Sequence, residues 1–243
     1  MEIALAEAEP APPREDGVVH LGDLLQIRHA GADSVLSYDV EDKDARASED
    51  SCAVTAASSA AATPCARNTW YLEKYESREV KGTFAETFED DVLHYGQMVK
   101  IVCNPKAKGP IADPAPLYLY SKPVTTTHFA KLSRQQEIGI TSIGKYDAVW
   151  KVLPVLPADR LVLEGQPVPV GEPVVFQHSA TKQNLNLTNE NYFNDFGQET
   201  EVSGYASHSI GKAAVMENMK KGMVKSDLDK PELAGNHWRL CSY

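Results

Sequence analysis

Histidine, cysteine, glycine and lysine are the residues of this chain with chemistry to offer. The seven histidines, His20, His29, His94, His128, His178, His208 and His237, are scattered, and no H-E-x-x-H stretch sets two of them on one helix face for zinc. The four cysteines, Cys52, Cys65, Cys103 and Cys241, show no C-x-x-C or other metal spacing, so four free thiols of a reducing compartment are expected. The glycines match neither G-x-G-x-x-G nor a P-loop, which leaves no cradle for a nucleotide phosphate. No nucleophile, base and acid fall into a recognisable arrangement. Asn186-Leu187-Thr188 matches a glycosylation sequon, which without secretion is a chance match. The expectation is a protein with no active site, no metal and no cofactor.

Some of these residues recur. His20 and His94 each stand two residues before a glycine, and His29 and His178 each end an apolar-alternating run. Recurrence at equivalent places points to a structural task, such as a ring nitrogen bonding a turn carbonyl, because a catalytic group would stand in one copy only. The recurring frame is a glycine, a polar residue, two alternating strand positions, a turn and a second alternating run. It starts at "VVHLGDLLQIRHAG" and returns in "VLHYGQMVKIVCNP" and "PVPVGEPVVFQHSA". The anchor glycines Gly22, Gly96 and Gly171 are spaced 74 and 75 residues apart, and read as turn residues of unusual φ.

Each unit then reads as four strands. The first is 24–29, 98–104 or 173–178; the second is 35–38, 117–120 or 185–188. The third is "CAVTA", "QQEIGIT" or "GQETEVSGY", and the fourth carries one of the three tryptophans, Trp70, Trp150 or Trp238. Residues i and i+2 of a strand share a face, so Leu72, Val152 and Leu240 join the tryptophans in one core, with Trp238 ending the last strand. Short strands with turn signals between them predict an all-β closed architecture. The fold expected is a β-trefoil (MIR-like) of three four-stranded pseudo-repeats, at about 18–80, 92–157 and 161–243, preceded by a flexible acidic, proline-rich tail over 1–17. Ricin-type sugar-binding trefoils carry Q-x-W in each unit; Asn68, Ala148 and Asn236 stand in place of the glutamine, so the tryptophans read as core.

The units differ in their insertions. The first carries a low-complexity "AASSAAATP" loop, and the third carries "KAAVMENMKKGMVKSDLDKPELAG". In the latter, Val215, Met219 and Met223 follow a helical spacing and predict a short helix. Its lysines, Lys212, Lys220, Lys221 and Lys225, form a basic cluster on a chain of formal charge −10, a candidate docking element for an acidic partner. The acidic balance argues against nucleic acid and anionic lipid as partners. No run of about 20 apolar residues is present to span a bilayer, and the acidic N-terminus lacks the charge of a signal peptide.

The stretches "HLGDLLQI", "ARNTWYL", "LHYGQMVKI", "DRLVLEGQPVPVGEPVVFQH", "YFNDFGQETEV" and "NHWRL" resemble, in order, the cilia- and flagella-associated protein 161 family. The resemblance covers nearly the whole chain and departs at the N-terminus, where about 17 acidic, proline-rich residues stand for a longer family segment. It implies a non-enzymatic inner protein of ciliary doublet microtubules, located in the doublet lumen of the axoneme and in the cytoplasm before assembly, with α/β-tubulin and other inner proteins as partners. Two other classes compete with it: a soluble MIR-like ligand- or protein-binding module, and a hydrolase whose site the sequence does not display.

Overall fold

The computed structural model describes residues 2–9, 14–43, 51–58, 63–75, 88–108, 115–206 and 232–243. Among the described residues twelve strands follow one another: β1 (Gln26–His29), β2 (Ser34–Lys43), β3 (Cys52–Ser58), β4 (Trp70–Lys74), β5 (Met98–Cys103) and β6 (Tyr118–Ser121), then β7 (Gln136–Thr141), β8 (Val149–Pro154), β9 (Pro173–His178), β10 (Leu185–Asn194), β11 (Gly197–Gly204) and β12 (Trp238–Cys241). All their pairings are antiparallel. Pairing runs through β11, β3, β2, β1, β12, β9, β8, β5, β6 and β7 and returns to β11, so the sheet closes on itself. Closure removes the unpaired edge an open sheet would present.

Two layers can be distinguished within this sheet. Strands β1, β12, β9, β8, β5 and β4 pair in succession, and the Leu25 and Trp70 backbones exchange hydrogen bonds of 2.8 and 2.9 Å that join the last to the first. Over one end lie the hairpins β2–β3, β6–β7 and β10–β11, whose inner strands β3, β7 and β11 each pair with the other two. At the opposite end three backbones are bonded in a cycle. The Val19 amide donates to Val168 at 2.9 Å, Val168 to Leu93 at 2.8 Å, and Leu93 to Val19 at 2.8 Å. A cycle of this kind satisfies three buried backbone donors and acceptors without help from any side chain.

The core fills the space between the layers. Trp70, Trp150 and Trp238 are wholly buried there with Ile27, Leu36, Leu72, Ile101, Leu119, Val152, Phe176 and Leu240. Trp70 and Trp238 open their strands rather than end them, since a short 3-10 turn (Ala66–Asn68 or Ala234–Asn236) delivers the chain to each.

Three features differ from the sequence reading. Strands β2 and β10 each run to ten residues. Polar residues beyond the end read for the second strand, such as Asn191 and Asn194, are drawn into β10 by their pairing with β11 past a bulge between Leu187 and Asn191. Residues 2–9, assigned to the tail, lie against the turn that leads into β4: Ala4 and Ala8 are buried, and the Ala66 and Arg67 amides donate to Ala6 and Ala4 carbonyls at 2.8 and 3.0 Å. The α-helix described is a single turn, α1 (Arg160–Leu163), in the connection between β8 and β9. The helix read into the third-unit insertion lies outside the described residues, as do the alanine-rich loop tip and Lys212, Lys220, Lys221 and Lys225.

Candidate partner-binding surface

The three tryptophans are tied to the hairpin layer by their polar edges. Each indole N–H donates to a carbonyl of a second strand: Trp70 to Leu36 at 3.0 Å, Trp150 to Leu119 at 2.9 Å, and Trp238 to Leu185 at 2.9 Å. A buried indole nitrogen needs such a partner, and here the bond joins hairpin to barrel. Gly22, Gly96 and Gly171 have φ of 85, 86 and 78°, the left-handed region where a side chain is strained. Sequence spacing alone picks out these six residues.

Three histidines, His29, His178 and His20, are bonded within the fold. His29 Nε2 lies 3.0 Å from the Ala234 carbonyl while its Nδ1 accepts from the Ala32 amide at 2.8 Å, which sets the neutral Nε2–H form. His178 repeats the arrangement, with Nε2 2.9 Å from the Asp147 carbonyl and Nδ1 2.8 Å from the Thr181 hydroxyl. Burial lowers the pKa of both rings. His20 goes the other way. Burial opposes its charge, but the hydrogen bonds it donates to the Asp16 and Asp91 carboxylates outweigh that and raise its pKa. None of the four cysteines is in a disulfide, and burial raises the pKa of Cys65, Cys103 and Cys241, which keeps them protonated and poor as nucleophiles or ligands. Among the described residues no three His, Cys, Asp or Glu side chains are grouped to hold a metal.

One buried ion pair was not legible from spacing. Arg67, from the "ARNTW" stretch, meets Glu199 of β11 in a two-pronged contact of 2.8 and 3.0 Å with both side chains buried. Thr55 and Asn194 each donate to the same Glu199 oxygen at 2.6 Å, and the Phe196 ring lies 3.6 Å under the guanidinium. The arrangement satisfies a charge pair that would otherwise be costly to bury. It also fixes the β10–β11 turn from beneath, because Asn194 and Phe196 belong to that turn. Above them Phe193 is 81% exposed.

At the glycine-turn end lies an open cleft of about 640 Å³. Leu153, Pro154, Pro157 and Leu161 give it apolar walls, and Lys151 and Arg160 stand at its rim. Lys151 sits 3.8 Å from Glu164; Arg160 is held by Glu232 at 2.5 Å, and Glu232 accepts also from Asn184 at 2.8 Å. Leu161 and Val162 on α1 are 84% and 71% exposed. Among the described residues no helix is long and apolar enough to cross a membrane.

A family model described as a Cilia- and flagella-associated protein 161-like domain matches residues 25–221. The chain belongs to that family. Cilia- and flagella-associated protein 161 of zebrafish (Danio rerio) is 30% identical over 151 residues, which span 62% of this chain and 45% of the zebrafish protein. The matched part is thus under half of that relative. In fold, the chain is similar to a Caenorhabditis elegans protein of unknown function, with a TM-score of 0.56 at 14% identity, covering 95% of this chain and 99% of that one. It is also similar to the SDF2-like protein from Arabidopsis thaliana, with a TM-score of 0.57 at 15% identity over 92% of this chain and 94% of that one. The Saccharomyces cerevisiae protein O-mannosyltransferase Pmt1–Pmt2 complex gives 0.57 at 14% identity, over 93% of this chain and 25% of that one. At such identities the likeness concerns the fold alone.

Proposed function

We propose that this chain is a non-catalytic structural component of cilia and flagella, an inner protein of doublet microtubules that binds the tubulin lattice and neighbouring inner proteins from the lumen. The observation that carries the reading is the family match over residues 25–221, whose family description ties the chain to cilia and flagella. The fold belonging to this reading is a β-trefoil of three pseudo-repeats. It is supported by the three bonds of each kind that recur at equivalent places: tryptophan to second strand, the glycine amide to the fourth strand, and the cycle of Val19, Leu93 and Val168. A structural role is further supported by the use of His29, His178 and the Arg67–Glu199 pair in holding the frame. In the sequence, Lys212, Lys220, Lys221 and Lys225 are the residues an acidic lattice such as tubulin would be expected to meet.

Likeness in fold to the SDF2-like protein motivates the second reading, a soluble MIR-like ligand- or protein-binding module. Extraction separates the two. Demembranated axonemes are washed with detergent and then high salt, and the chain is followed by immunoblot. An inner protein stays with the doublets; recovery of the chain in the detergent-soluble fraction would sink the proposal.

A further inference from the structure

The three most exposed large apolar side chains described are Leu161, Phe193 and Val162, and they occur in two places only. Phe193 crowns the β10–β11 turn in the hairpin layer. Leu161 lines the cleft at the other end of the molecule, and Val162 follows it on α1. Strand β8 measures the separation: it begins at Val149 beside the hairpin layer, where Trp150 bonds to Leu119, and ends at Pro154 in the cleft wall. The two spots are at opposite ends, so they cannot meet within one chain.

We propose that Phe193 of one molecule enters the cleft of a second copy of this chain, giving a head-to-tail row. The finger is preorganised. Asn194 and Phe196, on either side of the turn, are clamped by Glu199 and Arg67, so displaying the ring costs little further ordering. The receptor is of suitable size and character, since about 640 Å³ lies in the range of roughly 300–1,000 Å³ that accepts small organic groups.

One charge contact accompanies the ring. Exposed Glu190 and Asp195 flank Phe193, and the sequence carries no lysine or arginine between Lys182 and Lys212. At the cleft, Lys151 is only loosely engaged by Glu164 at 3.8 Å and can turn to an incoming carboxylate; Glu164 itself opposes the finger, while Glu232 stays occupied with Arg160. An apolar projection that fits a pocket elsewhere on the same molecule makes a heterologous contact, which propagates instead of closing as a twofold dimer. One finger in one cleft buries much less than a standard interface of about 1,600 Å², so association is weak and rises with concentration. Such a row would suit a component of a linear lattice, although it goes beyond the ciliary reading and is tested on the purified chain alone.

The test is sedimentation velocity of the full chain over a wide concentration range, with Phe193→Asp and Leu161→Glu. Both substitutions are at exposed positions, and an unchanged melting curve and circular dichroism spectrum confirm that each variant folds. The wild-type chain is expected to show a mass that climbs past the dimer, and each variant at least about tenfold weaker association, the loss of one hot-spot contact. Mixing the variants is decisive: Phe193→Asp retains a cleft and Leu161→Glu retains a finger, so the mixture forms a dimer and stops there. A wild-type chain that stays monomeric throughout, a Phe193→Asp variant that associates like wild type, or a mixture that forms no dimer overturns the proposal. Any of these leaves the ciliary role standing, which axoneme extraction tests separately.

Discussion

The Gly96 amide donates to the Val152 carbonyl at 2.7 Å, and Val152 lies two residues beyond Trp150. The same bond joins Gly22 to Leu72 at 2.9 Å and Gly171 to Leu240 at 2.8 Å, again two residues beyond a tryptophan. Each turn glycine is thereby fastened to the strand that carries the core ring.

Substituting these glycines tests whether the fastening is conformational. A Cβ at Gly22 or Gly171 would touch nothing within 4 Å, so the penalty of Gly→Ala is that of holding alanine at positive φ, about 1–2 kcal/mol. Gly96→Ala carries the same penalty plus a 3.1 Å approach to the Glu164 side chain, which can move aside. Urea denaturation should show three similar losses. An unchanged midpoint in any one would contradict the account at that turn.

The tryptophan bond predicts a second set of losses. Trp150→Phe removes the N–H and leaves the buried Leu119 carbonyl short of a donor, costing about 1–3 kcal/mol. Trp150→Ala adds a cavity, and its cost should reach about 3–5 kcal/mol. The ratio of the two, measured by denaturation, separates the hydrogen bond from the packing.

Breaking the buried ion pair should be far more damaging than deleting it. Arg67→Met or Glu199→Gln strands one partner and should cost about 3–5 kcal/mol. The double variant should recover a large part of that. A double-mutant cycle showing simple additivity would mean that the two groups do not act together.

Acid should weaken the fold through His29 and His178. Their pKa values are lowered in the folded chain, so their contribution is complete above the ordinary value of 6.5 and is lost as the pH falls through the lower folded one. Charging His29 also destroys the acceptor that receives the Ala32 amide. His20, whose pKa is raised, has the opposite sign: its contribution is complete below 6.5 and disappears as the pH rises through its folded value. His178→Gln keeps a donor for the Asp147 carbonyl without a charge, so its melting temperature should fall less between pH 7 and pH 5 than that of wild type.

Much of the frame is readable because Gly22, Gly96, Gly171 and the tryptophans are rare residue types at nearly constant spacing. Their neighbours in the fold are not. Val19, Leu93 and Val168 form a backbone cycle, and nothing in their side chains separates them from any other buried aliphatic residue. Arg67 and Glu199 are 132 positions apart, and no local pattern pairs charges over that distance. Strand β10 reads as ending near Thr188 because Glu190, Asn191 and Asn194 are poor strand formers, yet pairing with β11 extends it over the bulge. The exposure of Phe193 has no signature either, since the adjacent Tyr192 and Phe193 give no sign of which ring faces solvent. The four lysines singled out in the sequence remain outside the described residues.

The most direct test of the central claim is averaged electron cryo-tomography of doublet microtubules from cells with and without this chain. The account predicts that a periodic density of trefoil size, against the luminal face of the doublet wall, disappears in the deletion and returns when the chain is re-expressed. Luminal density that is identical in the two preparations, with the re-expressed chain found elsewhere in the cell, would contradict it.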